Sequence, residues 1–100
     1  MKINRIFQDN TLTVQLEGWL DTTTSAELGA EMDAVESFGA LVFDFDKLEY
    51  ISSAGLRQVV SSARKAKELD ADFSIVNVGP EVMSVFKLTG LDKKYRIAAK

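Results

Sequence analysis

Two residue types that carry much of enzyme chemistry are missing from this sequence of 100 residues, which has no cysteine and no histidine. The absence of cysteine excludes disulfide bonds and thiolate nucleophiles, and the absence of both removes the usual ligands of zinc. A mechanism that depends on a histidine base is excluded as well. These absences narrow the enzyme classes to which the chain could belong.

Long hydrophobic runs and strong charge are also missing. No stretch approaches the length of a membrane span, and residues 1–10 contain no apolar segment of the kind found in signal peptides. The net charge is −3. The nearest approach to a basic patch is Arg64, Lys65 and Lys67, at the end of a predicted helix, where cations complement the helix dipole. We therefore expect a soluble, cytoplasmic protein with neither a membrane nor a nucleic-acid partner.

What remains is the composition of an ordinary globular protein, with 46% apolar and 27% charged residues. The length fits a single domain that covers residues 1–100. The N-terminal part predicts a β-hairpin, in which Lys2–Phe7 and Thr11–Glu17 are the strands and Asp9-Asn10 is the turn. Apolar and polar residues alternate in the second strand, as expected when one face is buried and the other meets water.

Helices and strands alternate in the rest of the chain. Thr24–Glu27 matches a capping box and predicts a helix that reaches about Ser37. The other predicted helices run from Ser53 or Ala54 to about Leu69 and from Pro80 to Gly90, and the predicted strands are Ala40–Phe45, covered on both faces, Phe73–Val78 and a short one through Tyr95 and Ile97. This order predicts a compact α/β domain, with a mixed sheet, an N-terminal hairpin and about three packed helices.

Asp44 and Asp46 form the pair that comes nearest to a catalytic motif. They end an apolar strand one residue apart, which resembles the opening motif of haloacid-dehalogenase-type phosphatases, where such a pair supplies the nucleophile and helps to bind magnesium. Lys47 and Leu48 follow where that family expects a threonine or valine, and the remaining chain is too short for its usual core. The structural alternative is a pair of carboxylates where the chain leaves the sheet. Because the match to the phosphatase motif is incomplete and the sequence contains no P-loop and no dinucleotide motif, we expect no cofactor, no metal and no catalytic residue. A small magnesium-dependent phosphatase that uses Asp44 and Asp46 is kept as an alternative.

Ser52 and Ser53 stand side by side at the start of the second predicted helix, before the small residues Ala54 and Gly55. A serine at this position commonly caps the helix by accepting a backbone N–H bond, worth about 1 kcal/mol. The other interpretation is that one hydroxyl is a site of chemical modification. Position alone leaves both interpretations open.

The residues around these serines favour modification, because they resemble a known family. The segment L-E-Y-I-S-S-A-G-L-R closely resembles the switch motif of the STAS domain, as found in bacterial anti-sigma factor antagonists. Gly18 and Asp21 match the Gly-x-Leu-Asp segment of that family. In chain order, the similar segments are Leu16–Leu28, Ala40–Ile51, Leu48–Arg57 and Val85–Asp92.

The resemblance implies a STAS-type fold and an anti-sigma factor antagonist that is itself no enzyme. The serine that is phosphorylated in the family matches Ser53. Many members carry aspartate immediately before it, where this chain has Ser52, so Ser52 is the second candidate. The implied partners are an anti-sigma factor serine kinase of the histidine-kinase-like ATPase type, which also holds a sigma factor, and a metal-dependent serine phosphatase. Binding of the unphosphorylated chain to the kinase would free the sigma factor.

The resemblance and the local chemistry together suggest which residues contact the partner. Ala54 and Gly55 would keep the surface low, and Arg57 lies one helical turn beyond the serine. Trp19 either packs on the sheet edge or inserts into the partner, since tryptophan is enriched at interface hot spots. The candidate contact residues are Trp19, Asp21, Ser52, Ala54, Gly55 and Arg57. The alternative function is that of a STAS component in a sensory scaffold or a lipid-transport complex, where Ser53 would be only a cap.

Overall fold

A five-stranded mixed β-sheet and four helices make up the structure, a computed structural model that describes all 100 residues. The strands lie in the order β1-β2-β3-β4-β5, with β1 antiparallel to β2 and all other neighbours parallel. In chain order the elements are β1 (Lys2–Gln8), β2 (Thr11–Leu20), α1 (Thr22–Ala34), β3 (Ala40–Ile51), α2 (Ser53–Glu68), β4 (Asp72–Val78), α3 (Pro80–Thr89), α4 (Leu91–Lys94) and β5 (Arg96–Ala99). The predicted α/β class and N-terminal hairpin are confirmed, and the four-residue α4 is added to the three expected helices.

The hairpin turn has the backbone that its residues favour. Asp9 and Asn10 have φ angles of 53° and 63°, in the left-handed region that aspartate and asparagine tolerate better than other non-glycine residues. The remaining strands, β2 to β5, are parallel and follow one another in chain order. Because parallel crossovers are right-handed, α1, α2 and the α3–α4 connection all lie on the same face of the sheet.

The other face of the sheet, which we call the helix-free face, is not covered. In β3, Phe43 and Phe45 are fully buried, whereas Val42 and Asp44, which alternate with them, are partly exposed. The expectation that Ala40–Phe45 is covered on both faces is therefore wrong, because every crossover helix packs on the side of the phenylalanines. The core lies between that side and the helices, where the ring of Phe45 stacks on that of Phe86 in α3, with the centroids 6.2 Å apart.

The first helix begins earlier than predicted. Asp21 is its N-cap: the Asp21 carboxylate accepts the backbone N–H of Thr24 at 3.1 Å, and the Thr24 hydroxyl accepts the backbone N–H of Asp21 at 2.8 Å. These are the reciprocal bonds of a capping box. The box predicted at Thr24–Glu27 is wrong, because Thr24 already occupies the third helical position.

A side chain from another helix caps the end of α1. α1 ends at Ala34 rather than near Ser37. The Lys65 ammonium of α2 donates hydrogen bonds to the backbone carbonyls of Met32 and Val35. The last carbonyls of a helix lack intrahelical donors. Lys65, which lies near the C-terminus of α2, therefore supplies the missing donors at the C-terminus of α1.

Of the later elements, β3 is longer than predicted, whereas α3 and β5 lie where the sequence predicts them. β3 extends to Ile51, well beyond the predicted end at Phe45. α3 begins with Pro80 as its first residue, and Gly90 ends it with a φ of 77°, a left-handed conformation that favours glycine. β5 covers Arg96–Ala99 and pairs with β4. No helix in the chain combines the length and the apolar character needed to cross a membrane.

Candidate phosphorylation and partner-binding site

The ends of β2 and β3 bring the starts of α1 and α2 to one edge of the sheet. Leu20 and Ile51 are register partners at these strand ends, and the backbone N–H of Ser52 donates to the carbonyl of Leu20 at 2.9 Å. Asp21 and Ser52 follow directly and open the two helices. We call this region, formed by Asp21 and residues 52–54, the carboxyl edge.

The structure separates the two serines by role. Ser52 is the N-cap of α2, and its hydroxyl accepts the backbone N–H of Gly55 at 3.1 Å. Ser53 is the first residue of the helix; it is exposed, and its hydroxyl forms no hydrogen bond within the chain. Capping is therefore the function of Ser52, and Ser53 presents a free hydroxyl to solvent.

Two features determine the electrostatics of the carboxyl edge: the N-terminus of α2 and the carboxylate of Asp21. The first N–H groups of α2 point out of the helix and favour negative charge. The pKa of Asp21 is held below its ordinary value, first because the backbone N–H of Thr24 donates to its carboxylate and then because the Thr24 hydroxyl bonds to it. Asp21 is therefore an anion at neutral pH beside the start of α2.

Gly55 lies beneath the carboxyl edge, not on its surface. It is buried, and a Cβ atom there would lie 2.6 Å from the carbonyl oxygen of Leu20 and 2.8 Å from Cγ1 of Ile51. The expectation that Gly55 keeps the outer surface low for a partner is wrong, because its missing side chain lets α2 approach the ends of β2 and β3. Ala54 is half-buried and Arg57 is exposed, so both remain accessible at the start of the helix.

Trp19 lies near the carboxyl edge but faces the other way. Leu20 is fully buried, and successive residues of a strand point to opposite faces, so Trp19 belongs to the helix-free face. Its ring packs on Tyr50, with centroids 5.3 Å apart, and the two residues remain 56% and 47% exposed. Sequence reasoning did not identify Tyr50, whose proximity depends on the register between β2 and β3.

Asp44 and Asp46 lie inside β3, not where the chain leaves the sheet, because the strand continues to Ile51. One carboxylate oxygen of Asp44 accepts the Asn77 side-chain amide and the backbone N–H of Asp46, each at 3.0 Å. The Asp46 carboxylate lies 3.7 Å from the ammonium of Lys100. No group of three or more acidic, histidine or cysteine side chains is placed to hold a metal ion. Asp44 therefore links β3 to β4, and Asp46 is paired with the side chain of Lys100.

Comparisons with known proteins agree with this architecture. A model of the STAS domain family matches residues 2–100. A putative anti-sigma factor antagonist, BtrV of Bordetella bronchiseptica, is 30% identical over 100 residues, which cover 98% of this chain and 86% of that protein. The solved structure of an anti-sigma factor antagonist from Mycobacterium paratuberculosis is 28% identical, with a TM-score of 0.88 over 99% of this chain and 86% of that chain.

A more distant structure adds evidence on the fold alone. The Bacillus cell fate determinant SpoIIAA, solved in its phosphorylated form, is 18% identical and has a TM-score of 0.78, over 99% of this chain and 92% of that chain. The family match and the Bordetella relative, by contrast, show common membership, and they confirm the family resemblance predicted from the sequence. The chain belongs to the STAS domain family, among the anti-sigma factor antagonists.

Proposed function

We propose that phosphorylation of Ser53 switches this anti-sigma factor antagonist between a state that binds its partner and a state that does not. The partner is a serine kinase of the histidine-kinase-like ATPase type that also holds a sigma factor. The unphosphorylated chain binds the kinase and the sigma factor is released. Phosphorylation by the same kinase then ends the binding, and a metal-dependent serine phosphatase resets the switch.

The observation that carries this proposal is the difference between the two hydroxyls. Ser53 is exposed and its hydroxyl is free, whereas the hydroxyl of Ser52 accepts the N–H of Gly55. A kinase can therefore reach Ser53 without breaking the cap of α2. SpoIIAA, which shares this fold, has been solved in both a phosphorylated and an unphosphorylated form, which supports the same chemistry for this chain.

The position of Ser53 explains how a phosphate could change binding but leave the fold intact. Phosphorylation adds a charge of about −1.5 to −2, and the N-terminus of a helix stabilises such an anion. A partner whose surface covers the unmodified hydroxyl must, after phosphorylation, make room for the phosphate and displace the water that hydrates it. If this costs about 4 kcal/mol, the affinity falls roughly a thousandfold. The ionised Asp21 nearby makes the local potential more negative still.

The proposed contact surface is the carboxyl edge together with Arg57 and, at its margin, Trp19. Ala54 is small and half-buried beside the switch, so it leaves room for the active site of a kinase. Gly55 supports this surface from below and makes no contact of its own. Trp19 extends the surface around the end of β2 with an exposed ring, a residue type that is common at interface hot spots.

In this proposal the chain is a substrate and a binding module, without catalysis of its own. The carboxylates of Asp44 and Asp46 are held by hydrogen bonds from Asn77 and by Lys100, which supports a structural function for them. A sigma factor acts with RNA polymerase in the bacterial cytoplasm, so the protein acts there as well.

Site mapping with purified components tests the proposal. A kinase of the expected type, isolated from the source organism by its affinity for this chain, is incubated with ATP and the chain, and the phosphate is located by mass spectrometry. We expect one phosphate, on Ser53. Ser53→Ala should take none and should still bind the kinase. Ser52→Ala is the matched control, because it removes the neighbouring hydroxyl and should keep the label.

Other outcomes have distinct meanings. Loss of the phosphate only in Ser52→Ala would move the switch to the capping residue. A label that survives in both variants, or no label on a chain that binds the kinase, would contradict the phosphoswitch. Either result would favour the alternative in which this STAS domain serves a sensory scaffold or a lipid-transport complex and Ser53 only begins a helix.

A further inference from the structure

A groove runs along the outer flank of α2, where this helix faces the end of α3 and the start of α4. Its floor is apolar, formed by the half-buried side chains of Leu56, Val60 and Leu91. Two exposed arginines, Arg57 and Arg64, lie along its rim. The opposite flank of α2 packs against α1, so this is the flank of the helix that stays open.

The charges at the groove have no counterpart within the chain. Neither Arg57 nor Arg64 forms an ion pair, since the two ion pairs of the protein lie elsewhere, and no carboxylate lines the groove. The protein as a whole is acidic, with a net charge of −3. A positive rim above an apolar floor is complementary to a segment with carboxylates on its flanks and apolar side chains on one face.

The groove continues from the proposed switch. Ser53, Arg57 and Arg64 are spaced by four and seven residues, so they lie on one side of α2. Eleven residues of helix separate Ser53 from Arg64, which corresponds to about 16 Å. A partner that covers Ser53 reaches Arg57 within one turn, but it reaches Arg64 only if its contact follows the groove.

We propose that the groove binds an acidic amphipathic segment of the kinase, whose carboxylates pair with Arg57 and Arg64 while its apolar side chains cover Leu56 and Val60. This inference rests on the proposed function, which supplies the partner. It adds a contact area that the phosphate on Ser53 does not touch. Because Arg64 lies beyond the range at which neighbouring substitutions normally couple, its effect on affinity adds to that of the switch.

The test measures kinase affinity by calorimetry for the wild type, Arg64→Glu and Arg96→Glu. Arg96 is the matched control, an exposed arginine on the edge strand β5 with the same change of charge. Arg64→Glu should lose about tenfold in affinity, since losing an attractive pair and gaining a repulsive one each cost several-fold, and Arg96→Glu should bind as the wild type does. The loss should shrink as salt is raised, and it should be the same factor in a Ser53→Asp background.

The outcomes separate this inference from the function on which it rests. If the wild type is bound and phosphorylated but Arg64→Glu binds equally well, the groove is not a contact and the phosphoswitch stands. Equal losses in Arg64→Glu and Arg96→Glu, or a loss that salt does not reduce, would also overturn the groove assignment. If the wild type neither binds the kinase nor accepts a phosphate, the proposed function fails and this inference fails with it.

Discussion

Gly55→Ala tests how α2 is joined to the sheet beneath the switch. The added Cβ atom would lie 2.6 Å from the carbonyl oxygen of Leu20 and 2.8 Å from Cγ1 of Ile51, whereas ordinary contacts begin near 3.4 Å. The closer of these atoms belongs to the backbone, so it cannot rotate away. That carbonyl also accepts the N–H of Ser52, and a shift would therefore strain the bond that ties α2 to β2.

Two opposing effects set the size of the change. Inserting a methyl group into a well-packed core costs about 1–3 kcal/mol, and a weakened hydrogen bond adds up to about 1 kcal/mol. Alanine is favoured over glycine in a helix by about 1 kcal/mol, and by less in the first turn, where Gly55 lies. We expect Gly55→Ala to destabilise the protein by about 1–2 kcal/mol, which lowers the Tm of a domain of this size by roughly 5–15 °C.

The assay is urea unfolding of Gly55→Ala beside a second glycine variant, Gly29→Ala. Gly29 lies inside α1, where a Cβ atom would meet the side-chain amide of Gln58 at 2.9 Å, and that flexible group can move. Gly29→Ala should therefore be neutral or stabilise the protein by up to about 1 kcal/mol. A Gly55→Ala protein as stable as Gly29→Ala would refute the packing argument.

Three further predictions concern the neighbouring contacts. Lys65→Met should lower the free energy of unfolding by about 1–2 kcal/mol, because it removes charged hydrogen bonds from the end of α1, whereas Lys67→Met, at an exposed site, should change it by less than about 0.5 kcal/mol. Asp21→Asn should keep the cap, since asparagine caps as well as aspartate, but it should change how the free energy of unfolding depends on pH in the acidic range. Because folding lowers the pKa of Asp21, the ionised carboxylate stabilises the fold at a pH above its pKa in the unfolded chain. This stabilisation is lost as the pH falls through the pKa of Asp21 in the folded chain. A difference in stability between wild type and Asp21→Asn that stays constant from about pH 7 to pH 3 would contradict this. Trp19→Ala should weaken kinase binding about tenfold or more and change stability by no more than about 1 kcal/mol; unchanged affinity would remove Trp19 from the contact surface.

Local sequence patterns were sufficient to predict most of the fold. The hairpin turn at Asp9-Asn10, the start of α2 at Ser53 and the glycine that ends α3 were all correct, because each depends on the chemistry of a few adjacent residues. The start of α1 was wrong for a local reason. Threonine at the third helical position took the place of the glutamate expected in a capping box, so the true N-cap, Asp21, was not identified.

The remaining errors come from contacts between residues far apart in sequence. Burial of Gly55 depends on the ends of two strands that meet above it, and the function of Lys65 depends on the end of another helix. Only one face of β3 is covered by helices, because all the crossover connections have the same handedness. The composition of the strand itself does not indicate this. The two serines remained joint candidates for a different reason: the bond that distinguishes them is local, from the Gly55 N–H to the Ser52 hydroxyl, but either serine could have started the helix.

The central claim is that a phosphate on Ser53 ends kinase binding but leaves the fold intact. The most direct measurement is the Kd of the purified kinase for the wild-type chain before and after complete phosphorylation on Ser53, with the thermal unfolding of both forms recorded alongside. We predict a fall in affinity of roughly a thousandfold and a stability that changes by no more than about 1 kcal/mol, since the anion lies at a helix N-terminus. Equal affinity of the two forms for the kinase would contradict the account.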